Sequence, residues 1–305
     1  MIMQKKNYMN MRDNKITTMA IVLAVSLAFA TGCQKEELPD KMPQGVINAL
    51  FSVAPDKQVY FSQGNLQYQA TTDTWRFAEK QYDRYLTLNE KKAADYDGWI
   101  DLFGWGTSGY DHGAVCYQPW SKSWNWCNYY AYGDSLCNLN DKTGQADWGY
   151  NAISNGGNRE NYGWRTLTKD EWDYVVNQRK TPSGMRYAKV NVWGVPGLLL
   201  FPDDWDSSIY EFDNPNTWTG DNKIVGDAWT DILEPSGVVF LPEAGTMFED
   251  EPFAMFGTYW SSSIGDGDYP FMGAYVLEFW SGGGYYLDPV FRSSGNSVRL
   301  VFPAE

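Results

Sequence analysis

The 305-residue sequence predicts an α+β fold of short strands, one or two helices and long irregular loops. Short segments rich in β-branched and aromatic residues recur in both halves of the chain. A single segment has the periodicity and the first turn of a helix, and a long middle region has neither pattern. Residues 1–32 and 33–45 have the features of a signal and a tether, so residues 46–305 are predicted to form one domain.

The strand predictions depend on short apolar alternations. Residues 46–53 are rich in β formers, and alternating apolar positions continue through residues 57–61 and 64–69, as in paired strands. Four further strands are predicted at residues 75–78, 186–190, 197–201 and 237–241.

The helix is predicted from its capping residues. Thr168 can cap the first turn, and Glu171, three residues later, completes a capping box. Arg179 and Lys180 lie near the predicted end, where positive charge suits the negative pole of the helix. The apolar positions that follow the cap share one stripe, which we expect to be buried: Trp172, Val175 and Val176.

The middle region, about 95–163, is dense in Gly, Asn, Asp, Trp and Tyr and has little periodicity. This composition predicts loops that pack through their own aromatic side chains. So long an irregular stretch is unusual in a compact domain and indicates a functional or fold-specific role.

The N-terminus has the three parts of a secretory signal. Four basic residues and one acid precede the mostly apolar run 16–30, which is shorter than the roughly 20 residues of a membrane span. Small residues then lead into Cys33, which resembles the lipidated cysteine of bacterial lipoproteins; an ordinary signal with a chance cysteine is the alternative. Residues 34–37 resemble the export tag of Bacteroidetes surface lipoproteins. We therefore expect a lipid on Cys33, a tether over 33–45 and exposure on the outer membrane.

The net charge and the cysteine and histidine content limit which ligands and partners we expect. Without residues 1–32 the chain carries a formal charge of about −17, which repels phosphate backbones, so no nucleic-acid partner is expected. Beyond Cys33 the chain has only Cys116, Cys127 and Cys137, whose pairing the sequence leaves open, and one histidine, His112. This set does not have zinc-finger spacing, and no metal or cofactor is predicted.

Residues 164–172, WRTLTKDEW, resemble the RLPTEAEWEYA helix start of the formylglycine-generating, sulfatase-modifying superfamily. Three later landmarks follow in the family's order at residues 239–245, 259–263 and 295–301. The resemblance covers roughly residues 55–302 and implies a C-type-lectin-like fold. It extends to Bacteroidetes surface lipoproteins of this fold, including variable proteins that are diversified by retroelements.

The resemblance favours binding over catalysis. The superfamily's enzymes hold copper with a cysteine pair in the C-terminal part of the domain, and here no cysteine follows Cys137. The carboxylates at 203–206 and 249–251 are interpreted as solvated loops, so no catalytic residue is assigned. Calcium-dependent lectins use a Glu-Pro-Asn or Gln-Pro-Asp motif with Trp-Asn-Asp; residues 251–253, Glu-Pro-Phe, lack the third ligand, which leaves calcium open.

The aromatic-rich C-terminal segment is the predicted ligand-binding face. Ten of residues 259–291 are Phe, Trp or Tyr, against 17% of the whole chain. Alternation directs Tyr275, Leu277 and Phe279 to one face, expected in the core, and residues 276, 278 and 280 to an exposed face. In the retroelement-diversified proteins, variable exposed positions alternate with fixed ones in this way. The corresponding candidate contacts are Asp266, Tyr269, Phe271, Met272, Val276, Glu278, Trp280, Tyr285, Tyr286, Asp288 and Phe291.

The sequence thus predicts a surface-anchored lipoprotein that binds an extracellular protein or glycan through this face. Two alternatives stay open: calcium-independent glycan binding by the aromatic loops of 99–164, with Trp105 and Trp126 as contacts, and a sulfatase-modifying type of enzyme. A third interpretation is that the C-terminal aromatics only pack the last hairpin.

Overall fold

A computed structural model describes residues 42–84, 96–109, 137–140, 144–248, 251–266 and 273–304, which all belong to the unit Met42–Glu305. The described residues form strands in several sheets with one short α-helix, in agreement with the predicted α+β class. None of the helices in these ranges is both long and apolar enough to cross a membrane. The predicted signal, Cys33 and most of the tether lie outside the described residues.

The strands are short, as the sequence predicts. They are β1 (Phe51–Ala54), β2 (Lys57–Phe61), β3 (Leu66–Gln69), β4 (Thr74–Phe77), β5 (Arg165–Thr166), β6 (Tyr187–Val192), β7 (Val195–Leu200), β8 (Asn222–Ile224), β9 (Val239–Pro242), β10 (Thr246–Phe248), β11 (Glu251–Phe253), β12 (Gly257–Ile264), β13 (Gly273–Phe279), β14 (Tyr285–Phe291) and β15 (Leu300–Pro303). The helix α1 spans Lys169–Asp173 and continues as a π-helical turn over Tyr174–Gln178; a second π-helical turn spans Ala228–Leu233. Two 3₁₀ turns occupy Ala70–Thr72 and Trp148–Tyr150.

The last strand, β15, is an inner strand of the first sheet, whose order is β1-β2-β15-β5. Val301 of β15 pairs with Phe61 on one side and with Arg165 on the other. A second sheet has the order β8-β6-β7-β9, and only its β6–β8 pair is parallel. The third sheet, β12-β13-β14, is antiparallel throughout, and β3–β4 and β10–β11 form separate hairpins.

The capping box of α1 is confirmed. The Thr168 hydroxyl accepts a hydrogen bond from the Glu171 amide at 3.1 Å, and the Glu171 carboxylate accepts one from the Thr168 amide at 3.0 Å. The predicted stripe of Trp172, Val175 and Val176 is fully buried against β1 and β2.

Arg179 has a partner that the helical pattern does not predict. Its side chain is fully buried, and its guanidinium donates hydrogen bonds to the Asp203 carboxylate at 3.2 Å and to the Arg186 carbonyl at 3.0 Å. The assignment of Arg179 to the helix dipole is therefore incomplete, because tertiary packing brings residue 203 to the helix end.

Three of the described tryptophans in the aromatic middle region belong to the core. Trp105 and Trp148 are fully buried, and Trp164 is 4% exposed. The Trp105 indole donates a hydrogen bond to the Ser261 carbonyl at 2.9 Å, and the Trp260 indole donates one to the Phe103 carbonyl at 2.5 Å. The alternative of glycan binding through Trp105 is wrong, because its ring lies beneath the third sheet. Trp126 lies outside the described residues.

Candidate functional site

The third sheet has two faces of different character. In the strand register, Leu277 pairs with Tyr259 and Leu287, whereas Glu278 pairs with Thr258 and Tyr286. We call the first side the helix face, because its buried residues pack in one cluster with Trp172 and Val175. We call the second side the cavity face, because Thr258 and Glu278 line a cavity there.

Alternation predicts these two faces correctly but assigns the wrong exposure at Val276. Val276 is on the cavity face, yet it is fully buried in a cluster with Trp105, Trp260 and Leu300. The middle-region loops cover this part of the sheet. The prediction that Val276 contacts ligand is therefore wrong.

Tyr285 belongs to the helix face and is a second correction. Its ring contacts Tyr187 edge-on at a centroid distance of 5.7 Å and lies 6.1 Å from the ring of Trp218. Its hydroxyl donates a hydrogen bond to the side-chain oxygen of Asn177. Because the sheet separates it from Tyr286, Tyr285 packs the hairpin and does not contribute to the cavity face.

Two aromatic side chains, Trp280 and Tyr286, form a stacked pair at the end of the cavity face. The rings of Trp280 and Tyr286 stack with centroids 5.3 Å apart and planes at 10°, and the Phe256 ring meets Trp280 edge-on at 5.9 Å. Tyr286 is 48% exposed and Trp280 is half-buried. Such a pair offers rigid contact area with little loss of side-chain entropy on binding.

The cavity has a volume of about 900 Å³, near the upper end of the roughly 300–1,000 Å³ usual for ligand pockets. It lies between the third sheet, the strand β10 and residues 294–296. Its lining includes three residues predicted from sequence, Asp266, Glu278 and Phe291, together with Phe248, Thr258, Ser294 and Asn296, which the sequence does not single out as contacts. These last four come from three separate segments, so no single local pattern connects them.

Negative charge is concentrated at the cavity face. Glu278 is half-buried, and burial, followed by the negative charge of Asp288, raises the pKa of its carboxyl. Asp266, at the cavity's rim, interacts with the Tyr275 hydroxyl and with Lys169, whose ammonium lies 4.0 Å from the centre of the Tyr275 ring. Within the described ranges, Glu278 has no ion-pair partner.

Several predicted positions are not part of this site or fall outside the described residues. Tyr269, Phe271 and Met272 lie outside them, as do Cys116 and Cys127. Half-buried Cys137 packs against the core. The described ranges contain no group of three or more His, Cys, Asp or Glu side chains that could hold a metal.

The carboxylates at 203–206 do not form a common site. Asp203 accepts hydrogen bonds from the Ser52 hydroxyl at 2.7 Å and the Gln58 amide at 2.8 Å, in addition to its ion pair with Arg179. Asp204 and Asp206 are exposed, and Asp206 accepts a bond from the Ser208 amide. Asp203 is thus a structural residue.

The chain matches no protein-family model, and searches of curated proteins and of solved structures likewise find no match. The fold and site define a domain made mostly of β-strands in several sheets with one short helix, which has an aromatic and acidic cavity face.

Proposed function

We propose that this protein is a surface-anchored lipoprotein that binds a protein or glycan ligand through the cavity face and has no catalytic role. The stacked pair of Trp280 and Tyr286 beside the carboxylates of Glu278 and Asp288 is the observation that carries the proposal. Large, partly exposed aromatic side chains held rigidly by a sheet are the usual energetic centres of binding surfaces.

In this proposal the scaffold is C-type-lectin-like and the anchor is a lipid on Cys33. Support for the scaffold comes from the capping box at Thr168 and the closing strand β15, which agree with the motifs that carry the resemblance. A retroelement would diversify the segment that includes β13 and β14. A reverse transcriptase gene nearby, with a near-copy of the segment encoding residues 259–301 that differs at adenines, is the expected genomic observation.

The binding proposal is tested with a panel of purified glycans and surface proteins. The full chain is compared with the double variant W280A/Y286A and with Trp193→Ala, which removes a tryptophan that is 52% exposed in the turn between β6 and β7. We expect any specific ligand to bind the double variant at least tenfold more weakly and the control unchanged, since loss of a central aromatic contact costs about 2 kcal/mol or more. Equal affinity of all three proteins would overturn the proposal.

The anchor is tested separately. Growth with a labelled fatty acid should label the wild-type protein and not a Cys33→Ser variant. Protease added to intact cells should remove the wild-type domain if it faces outward. Label on the Cys33→Ser variant, or protection from protease, would contradict the anchor or its orientation respectively.

The glycan-binding alternative that uses residues 99–164 finds no support in the described residues. Among the described tryptophans of this segment, all but Trp99 pack in the core. Trp99 is half-buried, and the Arg76 guanidinium covers it at 3.8 Å from the centre of its ring.

A further inference from the structure

The wall of the cavity beside the third sheet includes buried polar atoms that no described residue satisfies. Thr258 is 1% exposed and Asn296 is fully buried, and both line the cavity. The Thr258 hydroxyl and the Asn296 amide nitrogen have no hydrogen-bond partner among the described residues. Buried polar groups are almost always paired, so these two atoms mark a polar part of the wall beneath the cavity surface.

The orientation of Asn296 is held by its neighbour. The Thr246 hydroxyl donates a hydrogen bond to the Asn296 side-chain oxygen at 2.5 Å. The backbone of Asn296 is paired in both directions with Phe103. These hydrogen bonds hold the Asn296 side chain in one orientation within the cavity wall.

The cavity also contains a carboxylate without a counter-ion. Glu278 lines the cavity, no described Lys or Arg is within ion-pairing distance, and the charge of Asp288, which acts on it, is also negative. The chain as a whole carries a formal charge of −14. A cation in the cavity would relieve this repulsion and would be attracted by the net charge.

The remaining walls suit the apolar stem of a long basic side chain. Phe248 and Phe291 lie with ring centroids 6.2 Å apart at the cavity wall and are 37% and 41% exposed. Aromatic faces attract guanidinium and ammonium groups as well as methylene stems. Apolar walls with a few placed polar groups are typical of pockets that orient their ligand.

We infer that the cavity binds a basic side chain, arginine or lysine, of a protein partner, with its cation at Glu278 and its stem against Phe248 and Phe291. This inference deepens the proposed function and depends on it for the existence of a partner. Of the two ligand classes in that proposal, it selects a protein with an exposed basic residue, because a neutral glycan offers no charge to Glu278.

The test uses small probes that carry only the inferred chemistry. N-acetyl-arginine methylamide is titrated into the full chain and followed by calorimetry, beside its neutral isostere N-acetyl-citrulline methylamide, the lysine analogue and a neutral disaccharide. We expect the arginine or lysine probe to bind at least tenfold more tightly than the citrulline probe, and more weakly as salt is raised. Equal binding of the arginine and citrulline probes, or preference for the disaccharide, would overturn the inference.

Two variants test where the probe binds. Glu278→Gln should weaken probe binding at least tenfold, whereas Glu211→Gln, which removes an exposed carboxylate outside the cavity lining, should leave it within twofold. Unchanged probe affinity in Glu278→Gln would contradict the inference.

The two proposals fail in different ways. If the probes do not bind but a ligand found in the panel still depends on Trp280 and Tyr286, the cavity inference is wrong and the proposed function stands. If a panel ligand is a protein whose affinity falls when its own arginine or lysine is replaced, in step with Glu278→Gln, both are supported.

Discussion

The indole of Trp280 stacks on the ring of Tyr286 with planes only 10° apart, across the hairpin that joins β13 to β14. The turn supports this arrangement, because the Gly283 amide donates a hydrogen bond to the Trp280 carbonyl at 3.2 Å and the indole lies over the glycine. A Cβ at Gly283 would lie 2.0 Å from the indole, whereas one at Gly282 would make ordinary contact at 3.4 Å.

Gly283→Ala should therefore move the Trp280 ring away from Tyr286. We expect ring-to-ring nuclear Overhauser contacts between the two residues to disappear, while the free energy of unfolding changes by less than about 1 kcal/mol because the turn is exposed. Gly282→Ala is the matched control and should keep the stack. Retention of the stack in Gly283→Ala would show that the turn accommodates the methyl group without moving the ring.

Arg179→Met should be strongly destabilising, by about 3 kcal/mol, because it leaves Asp203 and the Arg186 carbonyl without their buried donor. Lys180→Met is the sequence-adjacent control at an exposed position and should change the free energy of unfolding by less than about 0.5 kcal/mol. Urea denaturation measures both. Similar effects of the two substitutions would mean that the Arg179 ion pair contributes little.

The stabilising contribution of Glu171 should be lost in acid. Burial acts to raise the pKa of Glu171, but hydrogen bonds and charge from Arg165, then from Lys57 and the Thr168 amide, outweigh it and the pKa is lowered. A lowered pKa contributes stability that is present above the ordinary value of 4.5 and is lost as pH falls through the folded-state pKa.

Glu171→Gln should thus lower the free energy of unfolding by about 1 to 2 kcal/mol at pH 7 and flatten its decline below pH 4.5. Glu79→Gln, at a side chain that is 72% exposed in its ion pair with Arg76, is the control and should have little effect at either pH. Parallel acid denaturation profiles of wild type and Glu171→Gln would contradict the expectation.

Glu243 should have the opposite pH dependence. Burial raises the pKa of Glu243 to about 7, despite opposing contributions from Ser281, Arg84 and Lys189. Because the folded state favours the protonated form, its contribution to stability is complete below the ordinary value of 4.5 and is lost as pH rises through about 7.

Glu243→Gln should therefore gain stability relative to wild type between pH 4.5 and pH 8, on the order of 2 kcal/mol. Urea denaturation at the two pH values measures the difference, and Glu211→Gln at an exposed position should show no such change. A constant difference between Glu243→Gln and wild type across this range would exclude the raised pKa.

The features that the sequence predicts best are those whose partners are near in the chain. Thr168 and Glu171 are three residues apart, so the capping box and the stripe that begins at Trp172 follow from helical geometry alone. The alternation of residues 274–280 likewise predicts the two sides of β13. Alternation does not show which segments cover each side, so it does not predict that Val276 is buried.

The cavity could not be predicted from the sequence and was found only in the tertiary structure. Residues 246, 258, 278 and 296 meet only because β10, the third sheet and the segment before β15 pack together, and no spacing along the chain encodes that meeting. Arg179 and Asp203 are a similar case, since a buried guanidinium takes whichever carboxylate tertiary packing brings to it. The helix and the alternating faces could thus be predicted from the order of residues, because they depend on short-range geometry. Burial and long-range pairing depend on all the elements at once. Only the tertiary structure therefore placed Tyr285 on the helix face and Thr258 and Asn296 in the cavity lining.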